Sequence, residues 1–163
     1  YEIPLRLVGS EMCIRDRLVS DKKNVFYLGR GIDYYLALEG SLKLKEISYI
    51  HSEAFPAGEL KHGSISLIDE NFGVIAIVLD KSISDKTISN LKEVSSRGAE
   101  VIAITNIDKD DFSTHKILLD NHSEFLTPLT AIIPMQLLAY NTALIKGYDI
   151  DKPRNLAKSV TVE

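Results

Sequence analysis

Leu38-Glu39-Gly40-Ser41-Leu42-Lys43-Leu44-Lys45-Glu46-Ile47 is the stretch on which the reading of this chain turns, together with the nearby turn Gly58-Glu59-Leu60-Lys61-His62-Gly63. At about 100° per residue, Glu39, Lys43, Glu46 and Ile50 fall on one helical stripe. Leu36, Gly40, Leu44 and Ile47 flank it on one side, and Leu38, Leu42 and Tyr49 on the other. A carboxylate and an ammonium held between two apolar faces are partly desolvated, which prepares such groups for proton transfer. The competing reading is plainer. Glu39 and Lys43 form an i,i+4 pair in the favourable order, and such pairs commonly decorate an exposed helix for a few tenths of a kcal/mol. Spacing alone leaves both open.

Upstream of this helix, Asn24-Val25-Phe26-Tyr27-Leu28 is a short β-prone run closed by Gly29-Arg30-Gly31, which reads as a buried strand turning into a helix. Asp33 is the expected cap of that helix, which runs to about residue 50. The two glycines lack the third glycine and the spacing of a dinucleotide fingerprint, so they read as a tight turn. Downstream, His51-Ser52-Glu53-Ala54-Phe55 is a possible short strand, and Pro56-Ala57-Gly58 punctuates the chain before the histidine turn.

Gly73-Val74-Ile75-Ala76-Ile77-Val78-Leu79 is the clearest buried parallel strand. An amphipathic helix over 84–97 uses Ile88, Leu91 and Val94 and stops at Gly98. Val101-Ile102-Ala103-Ile104-Thr105 and Lys116-Ile117-Leu118-Leu119 are further strands. A helix over 128–146 ends at Gly147, and Pro153 forbids its renewal. Strands alternating with helices predict an α/β fold, a three-layer α/β/α sandwich around a mostly parallel five-stranded sheet of flavodoxin-like type. No internal repeat or low-complexity segment appears.

The chain has 163 residues, 45% hydrophobic and 26% charged, enough to bury one core. A net charge of −4 argues against nucleic acid as a main partner. No uninterrupted apolar run approaches the roughly 20 residues that span a bilayer; the most apolar region is broken by Pro134, Gln136 and Asn141. The single cysteine, Cys13, cannot form an internal disulfide, which fits a reducing cytoplasm. Residues 1–17 lack a clear period and a secretory pattern, and read as a translated adapter or cloning scar with few expected contacts to the sheet. Cys13 lies within them and is given no function.

Several motifs in order carry a resemblance: Leu28-Gly29-Arg30-Gly31, Ala37-Leu38-Glu39-Gly40, Leu42 to His51, Gly58 to Gly63, and the ending Pro153-Arg154-Asn155-Leu156-Ala157-Lys158-Ser159-Val160-Thr161-Val162-Glu163. From about residue 18 onward the chain resembles the C-terminal part of the glucosamine-6-phosphate synthase family, whose members are glutamine–fructose-6-phosphate aminotransferases. The resemblance implies a sugar-isomerase (SIS) domain over 18–150 and a catalytic tail over 151–163. It implies a sugar phosphate substrate, no metal or other cofactor, and a cytoplasmic homodimer with shared active sites. Upstream SIS and glutaminase domains of the family have no counterpart in this chain.

By that resemblance Glu46 is the base that moves a proton between C1 and C2 of the open sugar, and Lys43 holds charge near the developing enolate-like oxygen. His62 opens the ring, reaching into a neighbouring subunit's site. Lys158 supplies the amine that forms an imine, and Ala157 a backbone contact. Glu39 is expected to orient Lys43, and Arg154 and Asn155 to anchor the tail. The family usually has proline where this chain has Ser64, which bears on the stiffness of the histidine turn. The loop Leu79-Asp80-Lys81-Ser82-Ile83-Ser84 carries an aspartate and no glycine, so it is a poor phosphate cradle, and Ser82 or Ser84 reads as a helix cap. Two alternatives stand beside this reading. A different isomerase or deglycase of the superfamily would be expected to lack the Asn155-Leu156-Ala157-Lys158 ending, and a sugar-phosphate-sensing module has no need of Glu46, His62 and Lys158 together.

Overall fold

Five parallel strands form the sheet: β1 (Asn24–Gly29), β2 (His51–Pro56), β3 (Gly73–Val78), β4 (Glu100–Thr105) and β5 (His115–Leu118), in the order β2-β1-β3-β4-β5. The computed structural model describes residues 10–109, 111–121, 123, 126–154 and 156, with side chains from Arg15 onward. Side-chain alternation sorts the core into two layers. Val25, Tyr27, Ile75, Ile77, Ile102 and Ile104 face α2 (Ile32–Ser48) and α4 (Leu126–Ile145). Phe26, Leu28, Val74, Ala76, Val101 and Ala103 face α3 (Ser84–Ser95) and two 3₁₀ turns, Leu60–His62 and Ser64–Leu67. Every residue of β3 is buried, which is why it reads as a continuous apolar run rather than an alternating one.

The helix that carries the charged stripe is seated by a close approach. A β-carbon at Gly40 would lie 2.6 Å from Met135 Sδ and 2.7 Å from a Tyr27 ring carbon, so only hydrogen fits between α2, α4 and the sheet. At the far end of α2, buried serines tie the helix to the strand it feeds. The Ser52 hydroxyl lies 2.9 Å from the Ser41 carbonyl oxygen and 2.8 Å from its hydroxyl, and Ser48 donates to the Leu44 carbonyl at 2.6 Å.

The predicted sandwich and five-stranded sheet are present, and the short run at His51 is a six-residue edge strand. Several local expectations are corrected. Asp33 does not cap its own helix: Gly31 holds that position, and the Asp33 carboxylate accepts N–H bonds from Leu79 at 2.9 Å and Asp80 at 3.2 Å. It therefore pins the start of α2 to the end of β3. Ser82 and Ser84 are not caps either. Ser82 donates to Asp80 and Ser84 to the Lys81 carbonyl, and the cap position of α3 is Ile83.

The helix α4 runs unbroken through Pro134. By length and composition it could cross a membrane, yet Ala131, Met135, Leu138, Ala139 and Ala143 on it are buried. Residues 1–9 lie outside the described part. The helix α1 (Ser10–Ser20) packs on α4, not on a strand, and buries Arg15 and Asp16. Its Val19 also joins the core layer shared with α2 and α4.

Burial pushes the Asp33 carboxyl up to about 6, with Asp80 adding to the rise and the two N–H donors opposing it. The folded chain thus binds this proton more tightly than the unfolded chain. The stabilisation is complete below about pH 4 and is lost as pH rises through about 6. Urea unfolding of the wild type is expected to lose roughly 1–3 kcal/mol across that window from this group. Asp33→Asn, which keeps an acceptor for the two N–H groups, should flatten the slope; an unaltered slope would remove Asp33 as its source.

Candidate active site

The proposed chemistry needs a carboxylate, an imidazole and an amine around one sugar, and the fold treats the three differently. Glu46 and Lys43 stand together near the C-terminal end of α2. The Lys43 ammonium is 2.9 Å from Glu46 Oε2 and 3.7 Å from Glu39 Oε1, so it sits between two carboxylates and closer to Glu46. The hydrogen bond to Glu46 is the main cause that raises the Lys43 pKa, and the charges of Glu46 and Glu39 add to it. Lys43 is therefore a persistent cation.

The two apolar flanks of the stripe are not alike. Leu36 and Leu44 are buried against the sheet, whereas Leu38 and Leu42 are each 42% exposed. Within one chain the charged pair is thus desolvated on one side only.

The chain reaches His62 only after running the length of β2. The helix α2 ends at Ser48, Tyr49 and Ile50 make the connection, and β2 then runs its six residues to Pro56. At about 3.3 Å per residue, that strand alone carries the chain roughly 20 Å away before the histidine turn begins. The turn is anchored by Leu60, which is 1% exposed, while the His62 side chain is 64% exposed with Glu59 Oε2 at 4.0 Å. Ser64 does not leave the adjoining segment without structure: it opens a 3₁₀ turn in which the Ser66 hydroxyl donates to the Gly63 carbonyl at 2.7 Å.

Asn155, Ala157 and Lys158 lie outside the described residues. The chain leading to them passes beside the Glu46 end of α2. The Arg154 N–H donates to the Tyr49 hydroxyl at 2.8 Å, and the Arg154 guanidinium sits 4.1 Å from the centroid of the Tyr49 ring. Arg154 anchors the tail as expected. Tyr49, about one helical turn beyond Glu46, is a participant that periodicity alone assigned to an apolar flank; its positive φ of 58° marks it as unusual. Among the described residues no group of three or more His, Cys, Asp and Glu is arranged to hold a metal ion.

With this geometry in place, comparison with known proteins gives a consistent result. A family model described as SIS domain matches residues 18–146, and the chain belongs to that family. It is 53% identical over 144 residues to a glutamine–fructose-6-phosphate aminotransferase (isomerizing) of Caldanaerobacter subterraneus subsp. tengcongensis, covering 86% of this chain and 24% of that protein. It is 50% identical over 163 residues to the same-named protein of Fusobacterium nucleatum, covering 98% of this chain and 27% of that one. The chain therefore spans about a quarter of the length of these curated relatives. The solved C-terminal domain of glucosamine-fructose-6-phosphate aminotransferase from Francisella tularensis superposes with a TM-score of 0.83 at 43% identity, over 91% of this chain and 42% of that one.

Lys43 and Glu46 are each about a third exposed, so solvent screens their pairing. Lys43→Ala and Glu46→Gln are each expected to change folding stability by less than about 1 kcal/mol in urea titrations. A much larger loss would mean that the pair holds the fold rather than serving chemistry.

Proposed function

We propose that this chain is the C-terminal isomerase part of a glutamine–fructose-6-phosphate aminotransferase. Together with the rest of such an enzyme it converts fructose 6-phosphate and glutamine-derived ammonia to glucosamine 6-phosphate. The observation that carries this reading is the Lys43–Glu46 pair at 2.9 Å on the helix end to which Arg154 ties the tail. It joins a base, a fixed cation and the length of chain leading to Lys158.

In this reading the partner subunit's His62 transfers the proton that opens the ring. The Lys158 amine adds to the C2 carbonyl and expels water to form an imine, which ammonia then exchanges for its own, releasing the lysine. Glu46 removes a proton from C1 and returns it to C2, and the C1 hydroxyl proton passes to the imine nitrogen, leaving the amino group on C2 and the aldehyde on C1. Lys43 offsets the negative charge that develops on the oxygen at C1 while the proton is in transit. Ala157 contributes a backbone contact to the bound sugar.

The topology supports a homodimer with shared sites. Glu46 and His62 lie at opposite ends of β2, so a site using both draws them from two copies. The exposed Leu38 and Leu42 give the charged stripe a second apolar flank that a neighbouring domain can cover. A phosphorylated sugar and a single cysteine fit the cytoplasm. The loop after β3 has its serine hydroxyls committed to Asp80 and Lys81, so the phosphate cradle is assigned to an upstream SIS domain, and ammonia release to a glutaminase domain.

Two measurements on the full-length enzyme test this reading. Glu46→Gln is expected to slow interconversion of fructose and glucose phosphates by about 10²-fold or more; unchanged turnover ends the proton-shuttle role. Co-expressed Glu46→Gln and His62→Ala subunits should recover roughly a quarter of wild-type activity, because half the dimers then hold one intact site of two. No recovery on mixing would place both groups in one chain's site.

A further inference from the structure

The end of α2 is built in an unusual way. Tyr49 comes after the last helical residue with φ 58° and ψ 17°, a left-handed conformation that glycine or asparagine normally takes because a β-carbon is strained there. The same chain ends α4 in the ordinary manner. Gly147 at φ 73° takes the left-handed position, with two closing bonds, from the Gly147 N–H to the Leu144 carbonyl at 2.9 Å and from the Tyr148 N–H to the Ala143 carbonyl at 3.0 Å. Stopping a helix therefore does not require an aromatic residue.

What the Tyr49 side chain does instead is hold the tail. Its ring packs against Tyr148 at 4.8 Å between centroids, so it is braced by the closed end of α4. The ring also carries the Arg154 guanidinium, and its hydroxyl accepts the Arg154 N–H. The other hydrogen bonds of this stretch are local, from the Asp151 and Lys152 N–H groups to Asp149. The bond from Arg154 to Tyr49 bridges 105 positions of sequence.

We propose that Tyr49 is a positioning residue, a dock that sets where the tail amine is delivered relative to Lys43 and Glu46. This deepens the proposed function and rests on it for the role of Lys158. Glu46 lies about 5 Å back along the helix axis from Tyr49. Lys158 stands four residues beyond Arg154, a reach of at most about 14 Å. A fixed point at Arg154 would limit how far the amine can range from this end of α2 and so raise its effective concentration there. The strained backbone at Tyr49 keeps the ring in the direction that meets both Tyr148 and Arg154.

The test uses the full-length enzyme with Tyr49→Gly, which relieves the backbone and deletes the dock, and Tyr49→Phe, which keeps the ring and deletes the acceptor. Hydrogen–deuterium exchange reads the tail directly. In Tyr49→Gly, amides of residues 151–163 should exchange about tenfold faster or more, with α2 and α4 protection and thermal stability retained. Borohydride trapping of fructose 6-phosphate on Lys158 should slow roughly 10- to 100-fold, with kcat falling in step and KM changing by less than about threefold. Tyr49→Phe should fall between the two.

Tail exchange and trapping rates equal to wild type in Tyr49→Gly overturn the dock, as does loss of protection along all of α2, which would make Tyr49 a structural cap. If the Gly variant does not fold, Tyr49→Phe and Arg154→Ala are read in the same two assays, and unaltered tail exchange in both overturns the proposal. Absence of trapping on Lys158 in the wild type would sink the imine role instead, and the exchange result would still decide whether Tyr49 holds the tail.

Discussion

The constraint on which the arrangement depends is that two adjacent parallel strands cannot be joined by a hairpin. Between β1 and β2 the chain must return from the C-terminal to the N-terminal end of the sheet, and α2 is that return. The charged stripe rides on the returning helix, so Glu46 arrives just before the start of β2, and the chain must run the whole of that strand before it reaches His62.

The seating of α2 depends on small residues placed where large ones would not fit. Gly40 lets the helix touch Tyr27 and Met135, Ser52 bonds Ser41, and Ser48 bonds the backbone at Leu44 and Ile50. The same helix is held at its start by the Asp33 carboxylate, whose bonds to Leu79 and Asp80 join it to the central strand. With both ends tied, the stripe has little freedom to move relative to the sheet. The side of the stripe bearing Leu38 and Leu42 stays open.

The tail is bound by a different kind of contact. One aromatic residue in a strained backbone receives an arginine from far along the chain, and the closed end of α4 braces the ring. Residues 148–154 form no helix or strand and have no ladder of their own, so a few side-chain contacts decide where they lie. That anchor stands at the end of α2, just past Glu46, although 105 positions of sequence separate its two residues.

Much of this was legible in the sequence. Continuous apolar runs at 25–28, 74–79 and 101–104 define buried parallel strands, and the 3.6-residue period places Glu39, Lys43 and Glu46 on one stripe, because both depend only on neighbours along the chain. Asp33 reads as a local cap and Ser82 or Ser84 as another, since a short polar residue before a helix looks the same whether it bonds its own helix or a strand 46 positions away. Tyr49 reads as apolar filling. Its role became visible only when folding brought Arg154 and Tyr148 to it. The sequence by itself determined the layers, the strands and the charged stripe, through local periodicity and composition. Tertiary structure alone decided which flank of the stripe is buried and that Arg154 meets Tyr49, because each depends on distances between segments that no local pattern encodes.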